Sequence, residues 1–199
     1  CKLIFKDRMN EIFPKCHVKN HGSLWLGDLS SANDLEKLKE HNITAVLTIL
    51  SEDSPTRPNY PSPLSIKHMV ITSDDTFKVD LKQHFQSAIS FIDGHRQTGQ
   101  NILVHCAAGV SRSATIVLAY TIYSRGVKVE EAMEIVKSKR KVIFPNKGFK
   151  DQLSEYYNER MGNIDMDKGE DKGDGMIGDE EGKEKGNEES NEKKNEESK

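Results

Sequence analysis

The last forty residues of this 199-residue chain, from Arg160 on, contain no aromatic side chain, no proline and no cysteine. Fourteen acidic residues stand against eight basic ones there, a net charge of −6. The whole chain carries −3, so residues 1–159 hold the opposite sign, +3. A segment so charged and so poor in large apolar groups cannot offset its ordering entropy by burial. Residues 161–199 are therefore expected to be disordered. "EEGKEKGNEESNEKKNEESK" has the charge of a solvated helix, but its glycines and asparagines argue against one.

Cysteine is scarce as well. Cys1, Cys16 and Cys106 are an odd, sparse set, which excludes a disulfide framework and suits a reduced, intracellular setting, cytoplasmic or nuclear. "CHVKNH" gathers Cys16, His17 and His21 without a second ligand pair at zinc spacing, so it reads as a polar entry loop. No apolar run is long enough to span a membrane, and no signal-peptide pattern opens the chain. Because it begins at Cys1 rather than a methionine, a fragment is expected. No basic block with interleaved aromatics is present, so the sequence does not suggest a nucleic-acid partner. The mild positive balance of residues 1–159 suits a small anionic substrate instead.

The folded part is expected over residues 22–160, after an irregular, polar segment 1–21. "SLWLGD" is a short apolar run stopped at Gly27-Asp28. Ser31 with Asp34 has capping-box spacing and predicts a helix bearing Leu35 and Leu38. "ITAVLTIL", Ile43 to Leu50, is a β-branched strand. A loop with four prolines follows, then the strand "IKHMVI" and the loop "TSDDTFKVD". Asp80 with Gln83 opens a helix whose face holds Leu81, Phe85, Ala88, Ile89 and Ile92. "NILVH", Asn101 to His105, is nearly all apolar, as a central strand covered on both faces should be. "SATIVLAYTIYSRG" predicts a buried helix ended by Gly126, and "VEEAMEIVKSKR" an amphipathic one. Asn146 caps a last helix carrying Phe149, Leu153, Tyr156 and Tyr157. This alternation predicts an α/β domain: a mostly parallel sheet of four to five strands between helices, with its site at the carboxyl ends of the strands.

"HCAAGVSRS" lies at such an end. Gly109 permits backbone angles closed to other residues. With small side chains at Ala107, Ala108 and Ser111, and Val110 between them, the loop N–H groups can converge on an anion at a helix N-terminus. Arg112 adds a planar fork that grips two phosphoryl oxygens. Cys106 sits on the floor of this cradle. A free thiol is mostly protonated at neutral pH, and the helix dipole and the guanidinium favour its thiolate. Attack on phosphorus would give a phosphocysteine. Ser113 can donate a hydrogen bond to the thiolate when it leaves, and His105 orients the loop. The departing oxygen needs a proton, which a carboxylic acid on a neighbouring loop supplies; Asp74 and Asp75 both qualify.

"HCAAGVSRS" fits the H-C-x-x-G-x-x-R-S signature of cysteine-dependent protein phosphatases. With "SATIVLAY" and "FPNKGFKDQLSEYY" the chain closely resembles the atypical dual-specificity phosphatases from about Gly22 to Tyr157. The resemblance implies Cys106 as nucleophile, Arg112 and the N–H groups of residues 107–111 as phosphate binders, and an aspartate as acid and base. Its register, counted back from Leu81 and from Phe91, implies Asp75. It also implies phosphorylated proteins as substrates, with phosphoserine, phosphothreonine and phosphotyrosine all accepted. No metal or other cofactor is expected to be needed, since the arginine and the backbone dipoles supply the charge stabilisation. A phosphoinositide, an RNA 5′-phosphate or a phosphoglycan would fit the same mechanism. The uncharged residues 107, 108, 110 and 111 favour phosphoprotein over these. A non-enzymatic phosphate-binding relative would usually lose the cysteine.

Overall fold

The computed structural model describes residues 8–60 and 65–167. Cys1, and the expected disordered tail beyond Asp167, lie outside the described residues. Five strands form one sheet in the order β1-β2-β5-β3-β4: β1 Met9–Phe13, β2 Leu24–Gly27, β3 Ile43–Leu50, β4 Lys67–Thr72 and β5 Asn101–His105. All neighbours are parallel except β1, which runs antiparallel to β2 at one edge. β5 is the middle strand, which is why "NILVH" is apolar on both faces.

The period of two along the strands separates two cores. Leu24, Leu26, Leu47, Ile49, Ile102 and Val104 face the larger one, under helices α3 (Phe85–Gln97), α4 (Arg112–Arg125), α5 (Val129–Lys139) and α6 (Lys147–Asp167). Val46 and Leu103 face the smaller one, with Ala32 of α1 (Leu29–Ala32) and Leu38 of α2 (Leu35–Glu40). α4 is buried from Arg112 to Ile122 and ends at Gly126, whose φ of 67° is the left-handed cap. Truncating a large side chain packed under it, such as Phe85 or Phe149, costs about 3–5 kcal/mol. Among the described residues no helix is long and apolar enough to cross a membrane.

Four sequence expectations change. The segment 1–21 is not irregular throughout: Met9, Ile12 and Phe13 are buried in strand β1. Five residues with two polar members show no clear alternation, and pairing with β2 decides their state. Ser31 does not open a helix. Asp28 caps α1 by accepting the Ser31 N–H at 2.8 Å, while Ser31 Oγ accepts the Asp28 N–H at 3.0 Å. Asp34 then caps α2 through the Lys37 N–H. Capping-box spacing occurs twice in a row, so each candidate cap is also a candidate third residue. Asp80 and Gln83 lead not straight into α3 but into a 3-10 turn, Lys82–His84. Residues 161–167, assigned to the tail, continue α6.

Cys16 and His21 face each other in a backbone bridge, with N–H···O distances of 2.8 and 2.9 Å. Phe13 is level with Leu24 and so with Ile102 at the start of β5, whereas Cys106 follows its far end. Four residues of strand are about 13 Å, so Cys16 is not placed to form a disulfide with Cys106.

Candidate active site

The loop from Cys106 to Ser111 joins the end of β5 to the start of α4. Cys106 is buried, and its Sγ accepts two hydrogen bonds, from the Gly109 N–H at 3.2 Å and from Ser113 Oγ at 3.1 Å. The loop carbonyls face away from the sulfur. Ala107 O accepts the Leu29 N–H at 3.1 Å and Val110 O accepts the Phe144 N–H at 2.8 Å. In a trans peptide the N–H points opposite to its carbonyl, so those of Ala108 and Ser111 turn inward. Among the described residues no protein acceptor takes the N–H of Ala107, Ala108, Val110 or Ser111. A ring of free donors around a sulfur is an anion cradle.

Arg112 is the first residue of α4 and only 7% exposed. Its Nη1 donates to Ser51 Oγ at 3.1 Å and to Ser73 O at 3.0 Å, groups just past the ends of β3 and β4. These anchors fix the guanidinium plane. Its Nε is buried and has no hydrogen-bond partner. A buried unpaired donor costs about 1–3 kcal/mol, and a cation at a helix N-terminus adds repulsion from the dipole. An anion within reach of Nε would offset both penalties.

The "SDD" loop brings Asp75, and not Asp74, to this place. Asp75 Oδ1 accepts Ser111 Oγ at 2.7 Å and Asn146 Nδ2 at 3.0 Å, and its Oδ2 lies 3.8 Å from Arg112 Nε. Two of these contacts were not foreseen. Ser111, singled out as a small residue of the cradle, is also the group that holds Asp75. Asn146 caps α6 as expected, its Oδ1 accepting the Phe149 N–H at 3.0 Å, but its amide nitrogen serves the carboxylate. An asparagine is the cap that has a donor left over, and that was the signal available in "FPN".

His105 is fully buried beneath the loop. Its Nδ1 is 3.2 Å from Cys106 O, which can only accept, so Nδ1 carries the proton. Nε2 then accepts the Thr48 hydroxyl at 2.7 Å, and Thr48 Oγ1 in turn accepts from His68 Nε2 at 2.7 Å. Burial pushes His105 down to about 4, so it is neutral at physiological pH and acts as a strut. Among the described residues, no cluster of three or more His, Cys, Asp or Glu gathers as a metal site.

A buried cysteine, a ring of free N–H groups, an arginine with one unbonded donor and a carboxylate thus gather at the strand ends. Comparison with known proteins gives the family. The family profile described as dual specificity phosphatase, catalytic domain, matches residues 24–159. The chain belongs to the dual-specificity phosphatase family. Dual specificity protein phosphatase 1B of Arabidopsis thaliana is 39% identical over 140 residues, covering 70% of this chain and 81% of that protein. Human dual specificity protein phosphatase 2 is 43% identical over 133 residues, covering 67% of this chain but 41% of that protein. The chain thus spans less than half of that relative. Among solved structures, the human tyrosine phosphatase-like serine/threonine/tyrosine-interacting protein superposes with a TM-score of 0.70 at 34% identity, over 78% of this chain and 99% of that one. The dual-specificity phosphatase match covers the cradle, Arg112 and Asp75 alike, and it starts at the first residue of β2, leaving β1 outside.

Proposed function

We propose that this domain hydrolyses phosphotyrosine, phosphoserine and phosphothreonine monoesters in proteins through a phosphocysteine at Cys106. One observation carries the reading: the loop that seats the Cys106 sulfur under the Gly109 N–H also ties Asp75 through Ser111, and Asp75 lies beside the unbonded Arg112 Nε. In the first step the thiolate attacks phosphorus and the P–O ester bond breaks. The leaving oxygen takes the proton of the Asp75 carboxyl group. In the second step Asp75, now a carboxylate, takes a proton from water as the water attacks phosphorus. The P–S bond breaks, Ser113 Oγ donates to the departing thiolate, and inorganic phosphate is released. The transferred group keeps its charge throughout, so Arg112 and the loop dipoles do the stabilising.

Two exposed aromatics support a polypeptide substrate. Phe77, 65% exposed, walls a cleft of about 770 Å³ that opens beside Asp75 towards Asn146 and Asp151. Phe144, 64% exposed, is tied by its N–H to the rim of the cradle at Val110. Apolar surface flanking the phosphate suits amino-acid side chains more than the further phosphates of a phosphoinositide or an RNA end. A non-enzymatic role is disfavoured because Cys106, Arg112, Ser113 and Asp75 are all present, Ser113 on the Cys106 sulfur and Asp75 beside Arg112.

The test is phosphate release from an aryl phosphate in the presence of a chelator. Activity should persist with chelator and vanish in Cys106→Ser; full turnover by that variant would refute the mechanism. A panel of phosphopeptides against inositol phosphates separates the substrate classes.

A further inference from the structure

The two peptide planes in the middle of the cradle are held by a side chain from outside it. Arg140, 3% exposed, follows α5 and reaches behind the loop. Its Nε donates to Gly109 O at 2.9 Å and its Nη2 to Ala108 O at 3.5 Å. Its Nη1 donates to Asn10 Oδ1 at 2.7 Å, on strand β1. Because a trans peptide points its carbonyl and its N–H in opposite directions, each carbonyl turned out to Arg140 turns one N–H in. The Ala108 carbonyl sets the Gly109 N–H, which does meet Cys106 Sγ at 3.2 Å. The Gly109 carbonyl sets the Val110 N–H.

The local packing leaves this guanidinium little room to move. Gly109 has a φ of 67°, and a Cβ there would collide with the Gly27 carbonyl and with Arg140 Nη2. Burial works against the Arg140 charge, and the nearby Asp28 and Cys106 favour it. Among the described residues, other charged or titratable groups about the cradle include Arg112 and Asp75 on its open side and His105 beneath it. Arg112 faces the anion, while Arg140 stands behind the peptides that bind it.

We infer that Arg140, braced by Asn10 of β1, is a positioning residue that holds the Gly109 and Val110 N–H groups in the orientation that binds the phosphoryl oxygens. The inference rests on the proposed function for what the oxyanion is. It gives β1 a task in that function, although the family match begins only at β2.

The experiment uses the full chain, with orthovanadate as the oxyanion probe against an aryl phosphate substrate. Arg140→Met should weaken vanadate inhibition at least tenfold and lower kcat/KM about a hundredfold, the range seen when one oxyanion donor is lost. Arg140→Lys keeps a single donor and should recover part of both. Asn10→Ala leaves Arg140 in place but unbraced and should weaken vanadate by roughly threefold. In the wild type the Gly109 and Val110 amide resonances should move on adding vanadate; in Arg140→Met they should not. Vanadate inhibition within twofold of wild type in Arg140→Met, with those amide shifts retained, overturns the inference, whatever happens to the melting temperature. Should Arg140→Met fail to fold, unchanged vanadate inhibition in both Arg140→Lys and Asn10→Ala overturns it equally. A wild type without turnover would sink the phosphatase reading instead, and the vanadate-induced amide shifts would still report on Arg140.

Discussion

Helix α4 begins at Arg112 and ends at Arg125. Arg125 is exposed, its guanidinium stacked 5.0 Å from the centre of the Phe13 ring, at the helix end where the dipole favours a cation. Around it Gly126 closes the helix, and Arg160 Nη2 donates to the Tyr123 carbonyl at 3.1 Å. Arg112 is the reverse in every respect. It is buried, stands at the end where the dipole opposes it, and keeps a donor unpaired. One arginine is where folding alone would put it. The other costs the fold something, and the proposed phosphate site beside it would account for the placement.

The two arginines should differ most when each is exchanged for methionine. Arg112→Met should lower kcat/KM on an aryl phosphate about a thousandfold or more, since it removes the charged fork from the transition state. It should cost the fold no more than about 1 kcal/mol, because a buried and incompletely paired charge leaves with it. Arg125→Met should leave turnover unchanged and cost about 0.5 kcal/mol through the lost dipole and ring contacts. Steady-state kinetics and thermal melts on the two variants check both statements. Equal losses of activity would mean that the two ends of α4 do not differ as argued.

The strand feeding α4 also differs between its two ends. β5 starts at half-buried Asn101, which pairs with the Ser23 N–H and the His41 carbonyl, and ends at fully buried His105. Burial holds folded His105 at about 4, against about 6.5 in an unfolded chain. Between those values the unfolded chain binds the extra proton. Stability is therefore full above about pH 6.5 and falls as pH drops towards 4, by about 3 kcal/mol in all. Melting temperature followed across that window should fall steeply in wild type. His105→Gln should flatten this part of the profile while lowering stability at neutral pH. Identical slopes in the two proteins would contradict a buried, neutral strut.

Much of this was legible in the sequence for physical reasons. β5, the cradle and α4 announce themselves because an apolar strand, a run of small residues and an apolar helix adjoin, and local composition decides all three. β1 was missed because "MNEIF" becomes a strand only by pairing with β2, and the order of the sheet is not a local property. Of the cradle's supports, Arg140 lies 31 residues from the Gly109 carbonyl it holds, and Ser51 lies 61 residues from Arg112. No spacing rule reaches such distances. Ser111 hid for another reason: small residues in an anion loop are sufficiently explained by backbone access, which leaves a hydroxyl's second use unseen.

Asp75 forms the acid side of the proposed site. Asp75→Asn keeps both the shape and the hydrogen-bonding reach of the side chain but cannot give up a proton to the leaving oxygen. It should slow hydrolysis of an alkyl phosphate ester about a hundredfold, and an activated aryl ester less, because a good leaving group has little need of an acid. Equal slowing of both esters would assign Asp75 to binding rather than to proton transfer.

Asn146 gives the smallest effect and the finest comparison, because its two ends do different work. Its Oδ1 caps α6 and its Nδ2 holds Asp75 Oδ1. Asn146→Ala removes both and should cost about 1 kcal/mol of stability with a fall in kcat of about tenfold. Asn146→Asp keeps the cap, since a carboxylate accepts the Phe149 N–H as well as an amide does, but it sets a negative charge against Asp75. Melting temperature should return to that of wild type while kcat stays low or falls further. If kcat recovers together with stability in Asn146→Asp, the Asn146 amide is a helix cap alone and Ser111 holds Asp75 unaided.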